Sequence, residues 1–198
     1  MRLTPGANAP DFVGESLGGR RLALGDLRGQ AVWLKCYRFA GCPICNLHLR
    51  ALVRRHDELR AAGITPIVFF HSPKWRVEEE IQGRLPIELV ADPDKRAFSA
   101  YGVEASWAGM FAVEVARDYV RAMRAGFFSR PFGHEGGSLG HPADFLIDAR
   151  GVVQHAHYGK HYADMLGVDQ ILAIARSTGL VPERAAQEVR HVLQAVSA

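Results

Sequence analysis

The stretch "FAGCPICNLH", Phe39 to His48, sets Cys42 and Cys45 three residues apart, and the chain has one further cysteine, Cys36. A thiol is a nucleophile when ionised, and a C-x-x-C pair supplies both that nucleophile and a second thiol to close a disulfide with it. Gly41 lets the backbone turn ahead of the pair, and Pro43 suits the first position of a helix. Cys42 therefore falls where unpaired N–H groups and the positive helix end favour a thiolate. Cys45, one turn on, shares its helical face and is placed to attack a mixed disulfide at Cys42. Two other readings compete: inert buried thiols and a structural zinc site. Zinc takes four ligands, and there is no second C-x-x-C pair.

Cys36 alternates with Val32 and Leu34 along one apolar strand face. That pattern reads as a core thiol, with a third redox thiol as the other reading. Arg38, four residues before Cys42, could bring it positive charge. His71 and Ser72 follow "ITPIVFF", and ligands of open α/β sheets gather at the carboxyl ends of strands. His71 is thus a candidate pocket residue able to exchange a proton. Trp107 either caps that pocket or anchors a helix. "HAHYGKH" puts His155 and His157 on one strand face with His161 beyond, a pattern suited to copper or zinc.

Several elements must position these groups. "QAVWLKCYRF", residues 30–39, reads as a buried strand entered from the turn "DLRG". From Pro43 to Ala61, Leu47, Ala51, Leu52 and Leu59 recur at helical spacing, and Gly63 stops the helix. "ITPIVFF" is a second strand and "PKWRVEEEIQG" a short helix. "LPIELVADPDKRAFSAYGV" gives a short strand and a helix begun at Asp92–Pro93. Residues 104–140 read as an insertion: an amphipathic helix, roughly 107–125, then the glycine-rich "GFFSRPFGHEGGSLG". A loop of that length covers a site, meets a partner or moves. "ADFLIDARGVVQHAHY" forms two strands around a turn at 148–151. "GVDQILAIARSTG" and a C-terminal helix within 180–198 complete the chain. The order implies one α/β domain over 1–198, a central mixed sheet flanked by helices.

The 198 residues are 48% hydrophobic and 23% charged, enough for a full core, with a formal charge of +3. No lysine/arginine block marks a nucleic-acid footprint. The N-terminus lacks the apolar run of a signal peptide, and "ITPIVFF" is too short to cross a bilayer. The expectation is a cytoplasmic protein with no nucleic-acid or membrane partner, where a close cysteine pair is catalytic or metal-binding rather than structural.

"PGANAPDF", "LALGDLRGQAVWLKCYRFAGCPIC", "LPIELVADPDKRAFSAYGV" and "GHPADFLIDARGVVQHAHYG" occur in that order within residues 3–178. In this ordered set the chain resembles the thioredoxin-fold redoxins. More closely, it is similar to the peroxiredoxin-like branch of the alkyl hydroperoxide reductase/thiol-specific antioxidant superfamily. The resemblance implies a thioredoxin-like fold with a peroxidatic-type cysteine at the first helix, carried onto Cys42. It also shows departures. The family's proline and threonine or serine, seven and three residues before that cysteine, are here Lys35 and Phe39. Its second active-site arginine is here Pro142, six residues before Asp148. The usual groups that hold a peroxide are therefore absent. Pro142 in "HPADFLID" resembles instead the cis-proline that faces C-x-x-C in thiol oxidoreductases and presents backbone groups to a substrate sulfur.

These readings converge on a thiol oxidoreductase with Cys42 and Cys45 catalytic and Pro142, Arg38 and His71 supporting. Its first expected chemistry is thiol–disulfide exchange, and the close alternative is reduction of a hydroperoxide, with Cys42 peroxidatic and Cys45 resolving. A thioredoxin- or glutathione-type thiol would be the external reductant, and no metal or organic cofactor is required. The insertion could build a homodimer surface or a lid. A copper-binding chaperone on the same fold is a distant rival, since those proteins carry C-x₃-C plus a histidine. A binding module without turnover is disfavoured by the intact cysteine pair.

Overall fold

The computed structural model describes residues 1–81, 83, 85–104, 109, 111–128 and 140–181. A short hairpin opens it, β1 (Val13–Glu15) antiparallel to β2 (Arg21–Ala23), which sequence alternation over three residues is too brief to reveal. A 3-10 turn, Leu24–Leu27, leads into β3 (Ala31–Tyr37). Then come α1 (Pro43–Arg54), α2 (His56–Ala61) and β4 (Ile64–Phe70). They are followed by α3 (Lys74–Glu80), β5 (Glu88–Ala91), α4 (Arg96–Ala100) and α5 (Val113–Arg124). The hairpin β6 (Ala143–Ile147) and β7 (Val153–Tyr158) precedes α6 (Val168–Ser177).

Five strands form one mixed sheet in the order β5-β4-β3-β6-β7. β3 runs parallel to β4, and β4 to β5, because helices carry each crossover; β6 and β7 are antiparallel to their neighbours. β3 is central, so nearly every side chain on it is buried. Trp33 and Tyr37 face the core under α1 and α6, while Val32, Leu34 and Cys36 face the opposite core with Phe98 and Tyr101. The expected α/β architecture is the one observed.

Three boundaries differ from expectation. The helix over 43–61 is two helices, because Arg55 leaves helical geometry at φ −112°, ψ 16° and its guanidinium binds Glu58 and Asp169 instead. The helix expected from Asp92–Pro93 starts at Arg96, since the Asp92 carboxylate accepts from the N–H groups of Arg96, Ala97 and Phe98 from outside it. The amphipathic helix expected from about 107 starts at Val113, after an extended Ala112. It packs on α1 through Val115, Asp118 and Ala122. Trp107, most of the glycine-rich loop and residues 182–198, where a C-terminal helix is expected, lie outside the described residues. No helix among the described residues is long and apolar enough to cross a membrane.

Candidate active site

β3 ends at Tyr37, and the chain turns through 38–41 into α1. The turn is tied from both sides. Ala40 N–H donates to Ser72 Oγ at 2.9 Å, and Asn46 Nδ2 donates to the Ala40 carbonyl at 2.8 Å. Gly41 passes Glu80 so closely that a β-carbon there would sit 3.3 Å from its carboxylate. A side chain at 41 would therefore need the Glu80 carboxylate to shift by a few tenths of an ångström.

Cys42 is the N-cap of α1, with Pro43 in the first helical turn. Its sulfur accepts from the Cys45 N–H at 3.4 Å, and the Cys45 thiol donates to it across 2.7 Å. Arg38 Nη1 donates to the same sulfur at 3.9 Å. Burial pushes the Cys42 thiol upward, and it is the largest single influence. The hydrogen bond from Cys45, the Arg38 charge and the backbone N–H groups of Cys45 and Ile44 outweigh it and bring Cys42 down to about 7. Burial and the Cys42 charge push Cys45 well above the ordinary thiol range. One thiol of the pair is thus ionised near neutrality and the other keeps its proton. Cys42 is 1% exposed and Cys45 is fully buried.

Below the pair, on the same sheet face, Lys35 Nζ donates to Asp144 Oδ1 at 2.5 Å, and Trp33 Nε1 donates to that oxygen at 2.9 Å. Lys35 also donates to the Leu166 carbonyl at 2.9 Å, and Leu166 N–H donates to Asp144 Oδ2 at 3.0 Å. Burial lowers the Lys35 pKa, partly restored by Asp144. Lys35 therefore anchors the segment after β7, at the position where the family that the sequence resembles has proline. That segment carries Tyr162, whose ring lies 3.5 Å from the Arg38 guanidinium carbon.

The sequence-derived candidates divide. Cys42, Cys45 and Arg38 come together. His71 lies beside Arg38 along the backbone, donating its N–H to the Arg38 carbonyl at 3.3 Å. Its ring packs instead against Phe98 and Phe39, and neither ring nitrogen has a hydrogen-bond partner among the described residues. Burial, with the charges of Lys95 and Arg38, lowers His71 to about 3. Pro142 does not take the expected cis form: the described residues contain no cis peptide bond. Its carbonyl accepts from Gly159 N–H and the preceding His141 N–H donates to Glu104, so the hairpin and its neighbour use the backbone groups expected for substrate.

Cys36 lies on the other face of β3, fully buried, its pKa raised by burial. His141, before β6, and His157, on β7, have local partners. His157 Nε2 lies 3.0 Å from Asp164 Oδ1, and His141 Nδ1 2.8 Å from the Gly159 carbonyl. Among the described residues no three His, Cys, Asp or Glu side chains gather to hold a metal ion. Sequence reasoning missed Tyr162, Asn46 and Asp144. Asn46 is one helical turn from Cys42, its N–H on the Cys42 carbonyl at 3.0 Å, whereas Tyr162 and Asp144 are far off in sequence and only the fold brings them to the centre.

The geometry can be compared with known proteins. The profile of the AhpC/TSA family matches residues 5–156. No curated protein sequence matches. Among solved structures, the reduced 2-Cys peroxiredoxin of Plasmodium vivax aligns with TM-score 0.61 at 19% identity, over 85% of this chain and 78% of its own. The peroxidoxin BcpB of Mycobacterium tuberculosis aligns with TM-score 0.66 at 16% identity, over 89% of this chain and 98% of its own. A candidate thiol:disulfide interchange protein, DsbE, from Chlorobium tepidum aligns with TM-score 0.56 at 21% identity, over 87% of this chain and 98% of its own. At these identities the structures speak for the fold, which is the peroxiredoxin and thioredoxin-like one. The profile covers most of the chain, including both cysteines of the site, and the chain belongs to the AhpC/TSA family.

Proposed function

We propose that this protein is a two-cysteine thiol oxidoreductase in which Cys42 attacks and Cys45 resolves. The observation that carries the reading is the contrast within one pair: sulfurs 2.7 Å apart, one thiol drawn down to about 7 and the other pushed up. With a disulfide substrate, the Cys42 thiolate attacks one sulfur, forms a mixed disulfide and expels the other sulfur as a thiolate. Cys45 loses its proton, attacks Cys42 Sγ and expels the second substrate thiolate. The substrate gains two electrons and the pair becomes a disulfide. An external thioredoxin- or glutathione-type thiol in a reducing cytoplasm returns it to the dithiol.

A second reading is favoured by burial. A sulfur only 1% exposed is reached more readily by a small hydroperoxide than by a protein disulfide, and Arg38 beside it would polarise the O–O bond. Cys42 would then take an oxygen, release water or an alcohol and stand as a sulfenic acid. Cys45 would displace that oxygen as water and close the same disulfide.

The test is stopped-flow oxidation of the fully reduced protein by hydrogen peroxide and, separately, by oxidised glutathione, with thiol counting and mass spectrometry. Glutathione disulfide closing the Cys42–Cys45 bond, with peroxide no faster than on a free thiol, supports exchange. Fast peroxide oxidation to that bond moves the second reading ahead. If neither oxidant consumes the pair, both readings fall.

A further inference from the structure

The cation beside Cys42 also lies over an aromatic ring. The Arg38 guanidinium carbon is 3.5 Å from the Tyr162 ring centroid, while Arg38 Nη1 reaches Cys42 Sγ at 3.9 Å. The Phe39 ring centroid is 5.2 Å from it. Arg38 is thus buried against two rings and the sulfur, with 8% exposure. A guanidinium over an aromatic face is attracted by the ring's electrons, and more so away from water.

Tyr162 is itself held. It is 2% exposed, its N–H donates to the Gly109 carbonyl at 3.1 Å, and His141 packs edge-on at 5.7 Å between centroids. Its segment is fastened at both ends. Asp164 takes the Lys160 N–H and faces His157, and Leu166 is gripped through both backbone groups by Lys35 and Asp144. So much anchoring of one surface-connecting segment calls for an explanation beyond covering the core.

We propose that Tyr162 is a positioning residue of the thiol centre, its ring holding the Arg38 guanidinium against the Cys42 sulfur. The inference rests on the reading of Cys42 as the nucleophile. Other titratable groups face the same space and bound its pH behaviour. Cys45 lies on α1; the Lys35–Asp144 pair lies beneath it; Tyr37, at the end of β3, is raised by burial and by the charges of Asp144 and of both cysteines, while His71, just past β4, turns its ring to Phe98 and Phe39. Glu80 on α3, paired with Arg76 at 2.9 Å, lies beside Gly41.

The experiment is the pH dependence of Cys42 alkylation by iodoacetamide in the full chain, read by mass spectrometry of the Cys42 peptide. Tyr162→Leu should move the midpoint up by about one pH unit, the size of a desolvated cation–aromatic contact. Tyr162→Phe keeps the ring and should keep the wild-type midpoint. Arg38→Met should move it up, and adding Tyr162→Leu to that variant should move it no further. Tyr162→Met, closer in volume, replaces the leucine variant if that one does not fold. A wild-type midpoint for Tyr162→Leu, or equal shifts for the phenylalanine and leucine variants, overturns the proposal while leaving Cys42 an activated thiol. If the wild type titrates as an ordinary thiol, the functional reading fails, and this inference with it.

Discussion

Lys35 and Asp144 are cross-strand partners in the β3–β6 ladder, and their side chains meet as a buried ion pair at 2.5 Å with almost no exposure. Two charges taken from water into a core are held there only by good geometry and full hydrogen bonding. Asp144 has it: Lys35 and Trp33 at one oxygen, Leu166 N–H at the other. The Lys35 ammonium also lies 4.3 Å from the Trp33 ring centroid. The pair thereby ties the sheet to the segment that bears Tyr162.

Lys35→Met should therefore destabilise the reduced protein by about 3–5 kcal/mol, because it strands a buried carboxylate. Adding Asp144→Asn should recover part of the loss, since it removes the stranded charge yet leaves an acceptor for Trp33 Nε1. Urea unfolding of the two variants and the wild type measures both. An unchanged midpoint for Lys35→Met would show that the pair is not stabilising the fold.

Cys42→Ser should abolish turnover with either oxidant. Cys45→Ser should accumulate a glutathione adduct or a sulfenic acid on Cys42, seen as a mass increase on that peptide, because the attacking thiol of the second step is gone. Turnover at the wild-type rate in both variants would sink the two-cysteine mechanism.

Alkylation of Cys42 should rise to a plateau with a midpoint near pH 7, where the wild-type thiol is placed by Cys45, Arg38 and the α1 N–H groups. Below the midpoint the rate falls about tenfold per pH unit, as the thiolate fraction does. Cys45 and Cys36, both raised by burial, should stay unmodified through that range. The same shift adds stability to the reduced fold above the unfolded thiol's pKa of about 8.5, lost as pH falls through about 7.

His71 should stay neutral from pH 5 to 8, because burial, reinforced by Lys95 and Arg38, places its titration near 3. Imidazole proton shifts followed by NMR across that range should not move. A midpoint between 5 and 8 would reassign part of the neutral-pH behaviour of the centre from Cys42 to His71.

The sheet, the hairpin 143–158 and the cysteine pair were legible in the sequence because they are local: alternation, a turn, a glycine and a proline at fixed offsets. Arg38 was legible as a charge near Cys42 for the same reason. Lys35 stood out only as a departure from a family pattern, and its partner lies on a strand more than a hundred residues on. Tyr162 stands in "GKHYADML", where no spacing marks it, and only the antiparallel return of β6 and β7 brings it to Arg38. Pro142 shows the converse. Its residue type and place resemble the cis-proline of thiol oxidoreductases, yet its peptide is trans and its carbonyl accepts from Gly159 N–H.

β3 has a consequence for how much oxidising equivalent the molecule holds. Cys36 belongs to the core on one side of the sheet and the Cys42–Cys45 pair to the core on the other, so the strand layer stands between them. The chain has three thiols, and only Cys42 and Cys45 lie on the same side of the sheet to share a bond. Under the proposed mechanism its capacity is a single electron pair, and the disulfide form would keep Cys36 reduced, sealed on the far side of the sheet from the proposed couple.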